Sequence, residues 1–238
     1  MSKSQDIIKK IGKYCARNYK SAPIVFSKGS GIYLFDEQNT PYFDFLAGYS
    51  AANQGHCHPR LVETVKKQSE KLTITSRACH NEPLAEYSEK ICDMMGFNNI
   101  LPTNTGCEAG ETAIKLARAW GYMKKGIPYN KANVLFAENN FWGRSIAACS
   151  SSSDPSCYGN YGPYTDGFKI IPYNDPLSLD TALTVNKNIC AYMFEPIQGE
   201  AGIIIPDNNY IREVREICTK HNVPVSYTHL TLPTILRV

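Results

Sequence analysis

A marked excess of charge of either sign is missing from this 238-residue chain. Lys and Arg number 25 against 22 Asp and Glu, for a net charge of +3, and no long basic run occurs. Nucleic acid is therefore a poor partner for it. Long apolar runs are also missing. Stretches such as "CAYMF" and "GIIIP" fall far short of the roughly 20 residues that cross a bilayer. The opening segment "SKSQDIIKKIGKYCARNYK" is mildly basic but contains Asp6 and has no apolar core, so no cleaved targeting peptide is expected. No two of the nine cysteines form a CxxC pair. Their odd count and scatter predict reduced thiols and a cytoplasmic location. Cys149 and Cys157 flank a Ser-rich loop, where oxidation could join them.

Hydrophobic residues make up 43% of the chain, enough for a real core. "KGSGIYLFDEQNTPYFDFLAGYSA" places two apolar runs around a turn and predicts a hairpin or meander. "HPRLVETVKKQSEKL" and "EPLAEYSEKICDMM" predict helices. "ANVLFAEN", "FKIIPYN" and "NICAYMFEP" predict buried strands, and "NYIREVREICTKHNV" a further helix. Strands alternating with helices predict an α/β fold with a mostly parallel sheet flanked by helices. Ligands of such sheets sit beyond the carboxyl ends of the strands.

Three stretches fall at such positions. In "LPTNTGCEAGETAIKLARAW", Thr105 and Glu108 have the spacing of a capping box. Ala109, Ala113, Leu116, Ala117 and Trp120 then recur at helical spacing. The amides of Gly106, Cys107 and Glu108 would face outward from a helix start, where anions are favoured. A plain helix start explains the same residues, whereas a P-loop is excluded because no Gly-Lys-Ser/Thr follows. In "NNFWGRS", Phe141 or Trp142 could stack on a planar ring and Arg144 could grip a carboxylate; core aromatics and a solvated arginine are the alternative. In "EPIQGE", Glu195 and Glu200 could orient a cationic group, or simply be solvated. His56 and His58 in "NQGHCHPR" invite a zinc reading, but no Cys or acid stands at a matching spacing. Two structural histidines and no metal are expected.

Taken together these stretches resemble the class III aminotransferases, which depend on pyridoxal 5'-phosphate (PLP), and within them the ornithine-using branch. "FDFLAGYSAANQGHCHPR", "LTITSRACHNEPLAEY", "NTGCEAGETAIKLARAWGY", "NFWGRS", "SSSSDPSCYGNYGP", "GFKIIPYND" and "EPIQGEAGIIIP" carry the likeness through their order and spacing, over about residues 14 to 223. It implies the fold type I of PLP-dependent transferases, with the large domain incomplete. Residues 1–60 would form an N-terminal segment with the meander and 61–223 a partial PLP-binding domain. Gly106 and Cys107 would hold the PLP phosphate, Phe141 would stack on its ring, and Glu195 would lie nearby. Tyr19, Tyr49, Trp142 and Arg144 would bind substrate, and Glu200 would be a switch acid. The implied reaction converts L-ornithine and a 2-oxo acid, 2-oxoglutarate, to glutamate 5-semialdehyde and an amino acid. A full-length homodimer is implied, with acetylornithine or 4-aminobutyrate as the alternative substrate. A non-catalytic scaffold is the other alternative.

The likeness stops after "CTKHNV". In the family the next strand ends in an Asp that holds the ring nitrogen, followed by a Gln. Here "PVSYTHLTLPTILRV" puts Thr228 and Thr231 at those positions. Residues 224–238 are therefore expected to be a non-family tail from a cloning, assembly or frame-shift junction. The lysine that carries the cofactor would lie beyond Val238, so the chain as written is not expected to catalyse the reaction. Poor solubility of the isolated polypeptide is expected too, since an edge of the sheet would be left bare.

Overall fold

The computed structural model describes residues 3–227, which form two compact units that divide between Ile100 and Leu101. The N-terminal unit opens with helix α1 (Lys3–Tyr14), followed by strands β1 (Phe26–Ser30), β2 (Tyr33–Asp36) and β3 (Pro41–Phe43). The strands make an antiparallel meander in the order β1-β2-β3. Its second turn is built by Asp36, whose Oδ1 accepts the amides of Gln38 at 2.9 Å and Thr40 at 2.8 Å. Helices α2 (Pro59–Lys71) and α3 (Glu82–Met95) follow. Both start with a proline in the first turn, and Asn81 caps α3 by accepting the Leu84 amide at 2.9 Å. Proline suits that position because the first helical N–H has no intrahelical partner. None of the described residues of this unit is fully buried. The sequence reading set a boundary at 60/61, whereas α2 and α3 group with the meander and the chain divides at 100/101.

The C-terminal unit begins with α4 (Gly106–Trp120), which runs into a π-helical turn (Gly121–Lys125). Then come β4 (Asn133–Ala137), α5 (Ile146–Ser150), α6 (Pro155–Tyr158), β5 (Phe168–Ile171), α7 (Pro176–Val185), β6 (Ile189–Phe194), α8 (Tyr210–Lys220) and β7 (Val225–Tyr227). The strands form one parallel sheet in the order β5-β4-β6-β7. The unit is α/β, with helices on both faces of a parallel sheet. Side chains alternate across a strand. Val134 and Phe136 of β4 and Ala191 and Met193 of β6 face Ile114 and Ala117 of α4. Leu135, Ala137, Tyr192 and Phe194 face Leu179 and Leu183 of α7 and Tyr210, Val214 and Cys218 of α8. Burial on both faces is why β4 and β6 read as unbroken apolar runs.

Four helices carry no expectation from the sequence: α1, α5, α6 and α7. In α7, "PLSLDTALTV", apolar residues surround the helix rather than forming a stripe, so periodicity is weak. The first residues of the expected tail enter the sheet: Val225, Ser226 and Tyr227 pair with Tyr192, Met193 and Phe194. Thr228 and Thr231 lie outside the described residues.

Candidate functional site

In the C-terminal unit the site grows from the first turn of α4. Thr105 caps it, its Oγ1 accepting the Glu108 amide at 3.1 Å. The Glu108 carboxylate reaches back to the amide of Asn104 at 2.8 Å, one residue earlier than a capping box requires. The amides of Gly106 and Cys107 have no carbonyl one turn before them in the helix. A Cβ built on Gly106 meets nothing within 4 Å, so there is open room over this turn.

The loop after β4 docks onto the same helix, and two glycines permit the approach. A Cβ on Gly110 would stand 2.5 Å from Cε3 of Trp142, and one on Gly143 2.6 Å from Sγ of Cys107. Gly143 also has φ +149°, a conformation that L side chains rarely adopt. Ser145 closes the loop. Its Oγ donates to Glu111 Oε1 of α4 at 2.6 Å and accepts the Ala148 amide at 3.2 Å as the cap of α5. The segment 141–145 is thereby held along the first two turns of α4.

Trp142 is only 4% exposed; it stacks on Phe136 and donates Nε1–H to Ser151 Oγ at 2.9 Å. The sequence reading set it against the substrate; the structure makes it a core residue on which the loop rests. Phe141 is half-buried, and Arg144 is exposed with no hydrogen bond or ion pair among the described residues.

Glu195 follows β6, 3% exposed, and ties this loop to the next turn. Its Oε2 accepts the Phe141 amide at 2.9 Å and its Oε1 the Gly199 amide at 3.3 Å. Burial pushes its carboxyl above the usual range, the two amides pull the other way, and the Glu200 charge adds to the rise. Gln198 and Asn140 complete the brace. Gln198 Nε2 donates to the Glu138 carbonyl at 2.6 Å, and Asn140 Nδ2 to those of Ala137 and Ser151, each at 2.8 Å. Glu200 is exposed on the adjoining turn. An open apolar cavity of about 400 Å³ lies elsewhere, between α4 and the edge strand β7, lined by Leu116, Trp120 and Val225 among others; it contains none of the candidate residues.

In the N-terminal unit Tyr19 and Tyr49 are both exposed, and their hydroxyls hydrogen-bond to each other. His56 Nε2 lies 2.7 Å from Asp44 Oδ2. No group of three or more metal-ligating side chains occurs among the described residues. Cys149 and Cys157 are half-buried and free. No helix among the described residues is long and apolar enough to cross a membrane.

Gly110, Glu111 and Gly143 escaped the sequence reading because each matters only through a partner about 30 positions away. Ser145 was legible: a Ser directly before "IAA" is a helix-cap signal.

An open helix start, the 141–145 loop docked along that helix and a buried acid beyond a parallel strand thus stand in one unit. The chain matches the family Aminotransferase class-III over residues 14–225, and it belongs to it. Among its relatives, the mitochondrial ornithine aminotransferase of Rattus norvegicus is 52% identical over 220 residues, covering 92% of this chain and 50% of that protein. The ornithine aminotransferase of Toxoplasma gondii ME49 has a crystal structure similar to this one, with TM-score 0.92 and 41% identity over 95% of this chain and 53% of that one. The T. gondii enzyme crystallized with oxidized glutathione holds PLP at partial occupancy in its active site, with TM-score 0.91 and 42% identity over 94% of this chain and 52% of that one. The chain thus spans about half the length of the relatives it matches.

Proposed function

We propose that this chain contributes the cofactor-cradling half of an ornithine δ-aminotransferase, a PLP-dependent enzyme that moves the δ-amine of L-ornithine to 2-oxoglutarate. The observation that carries the reading is the docking of residues 141–145 onto the open first turn of α4. The residues present fit the cofactor at its phosphate end, because the space above Gly106 is clear and the helix start offers amides to an anion. Gly106 and Cys107 would hold the phosphate and Phe141 would cover the ring, its backbone fixed by Glu195. PLP supplies an electron sink for bonds at the amine-bearing carbon.

The chain's own residues bind and orient the substrates. Arg144, without a partner among the described residues, presents a planar fork that suits a substrate carboxylate in two-point fashion. Glu200 offers a charge that can hold a cationic partner and so gate which carboxylate enters. Tyr19 and Tyr49 present paired hydroxyls to the ornithine chain. Trp142 acts from beneath, holding the loop at its height. A homodimer in the cytoplasm is part of this reading; exposed apolar side chains such as Phe45 and Ile74 support the homodimer.

A full-length enzyme carrying residues 1–223 of this sequence tests the proposal. Mixed with PLP it should develop a visible absorbance band, and ornithine should discharge that band faster than acetylornithine or 4-aminobutyrate. A protein that stays colourless overturns the cofactor assignment, and preference for either rival amine overturns the substrate.

A further inference from the structure

Residues 47–50 form a left-handed turn. Ala47, Gly48, Tyr49 and Ser50 have φ of 48°, 58°, 56° and 68° in succession. Three of the four carry a Cβ, and L residues disfavour this region. The turn closes on itself through the Ala52 amide to the Ala47 carbonyl at 2.8 Å. Such strained backbone persists only where its surroundings enforce it, and it clusters where ligands are clamped.

The enforcing group is Asp44. Its Oδ1 accepts the Leu46 amide at 3.1 Å and the Ala47 amide at 2.8 Å, where the chain enters the turn. Its Oδ2 is held by His56 Nε2 at 2.7 Å. Both residues are tied to the meander. The Asp44 amide donates to the Ile32 carbonyl at 2.9 Å, and His56 exchanges backbone hydrogen bonds with Gly31 at 2.7 and 3.0 Å. A rigid frame therefore reaches through one carboxylate to the turn that bears Tyr49, whose hydroxyl meets that of Tyr19.

We propose that Asp44, clamped by His56, is a positioning residue that sets Tyr49 for contact with the amine substrate. This rests on the assignment of Tyr49 to the ornithine site above. Asp44 touches no substrate; it acts by holding the backbone under Tyr49. The Ala47 amide and the His56 ring keep its carboxyl below the usual range, so the anchor stays charged at neutral pH.

The test uses a full-length enzyme carrying this N-terminal half, with separate KM values for ornithine and 2-oxoglutarate. Tyr49→Phe and Asp44→Asn should each raise KM for ornithine by about tenfold while moving that for 2-oxoglutarate by less than about twofold. The double variant should be no worse than the poorer single one, because both act through one hydroxyl. His56→Gln, which leaves the two amide bonds to Asp44 intact, should give a smaller change of the same kind and serves if Asp44→Asn does not fold. An effect of Tyr49→Phe without one from Asp44→Asn, or from His56→Gln in its place, overturns this inference alone. No effect of Tyr49→Phe overturns the assignment of Tyr49 and the inference with it. Equal rises in both KM values mean general loosening and also overturn the inference.

Discussion

Gly110→Ala sets two known effects against each other, and the structure decides between them. Gly110 is buried in the interior of α4, where Ala is ordinarily better than Gly by about 1 kcal/mol. Here the new Cβ would lie 2.5 Å from Cε3 and 2.9 Å from Cζ3 of Trp142. The indole has little freedom to withdraw, since it stacks on Phe136 at 6.1 Å with an 11° tilt and its N–H is bound to Ser151. Overpacking of this kind costs about 1–3 kcal/mol; with the indole held on two sides the upper part of that range applies, so overpacking wins and a net loss of up to about 2 kcal/mol is expected. For a chain of this size each kcal/mol corresponds to roughly 2–4 °C in Tm. Urea denaturation followed by tryptophan fluorescence measures the loss. Trp142→Phe in the Gly110→Ala background should recover part of it, giving a coupling above about 0.5 kcal/mol. If Gly110→Ala instead stabilises the protein by the helical increment, the indole moves freely and the docking argument for the 141–145 loop is wrong.

Glu195 gives a pH signature. Its carboxyl is raised by burial, so the folded state holds the proton above the ordinary value of 4.5. The stability this gives is fully present below 4.5 and is lost as pH rises through the folded value; Glu195→Gln should flatten that decline in urea midpoints measured against pH. Ser145→Ala removes the cap of α5 and the link to Glu111, and should cost about 1 kcal/mol by thermal unfolding. Burial and the neighbouring Asp154 raise the Cys157 thiol, so it should label slowly at neutral pH and faster in Asp154→Asn. Should Cys149 and Cys157 label equally with and without oxidant, they are not a redox pair. Finally, the isolated chain should associate at micromolar concentration, because Phe45, Ile74, Tyr129 and Val185 are largely exposed; a soluble, cooperatively unfolding monomer in sedimentation would contradict this.

Much of the fold could be read directly. β4 and β6 announced themselves as short apolar runs because both their faces are covered, and α3 and α8 through helical spacing between clear boundaries. The cap at Thr105 was legible because capping is chemistry between residues three apart. α7 was not, since an evenly apolar helix shows no stripe. Nor was the break at 100/101, which depends on which segments come together in space.

What the sequence determined by itself was local: the helix start at Gly106 with its free amides, the buried strands, and the order of segments that marks the family. These depend on neighbours within a few residues, or on a pattern along the chain. What only the tertiary structure decided was which of two adjacent aromatics lies in the core. Trp142 is buried because a glycine 32 positions earlier leaves it room. The clamp from the meander through His56 and Asp44 to Tyr49 is likewise invisible in one dimension. A hydrogen bond needs its partners within about 3 Å, and only folding decides which distant residues come that close.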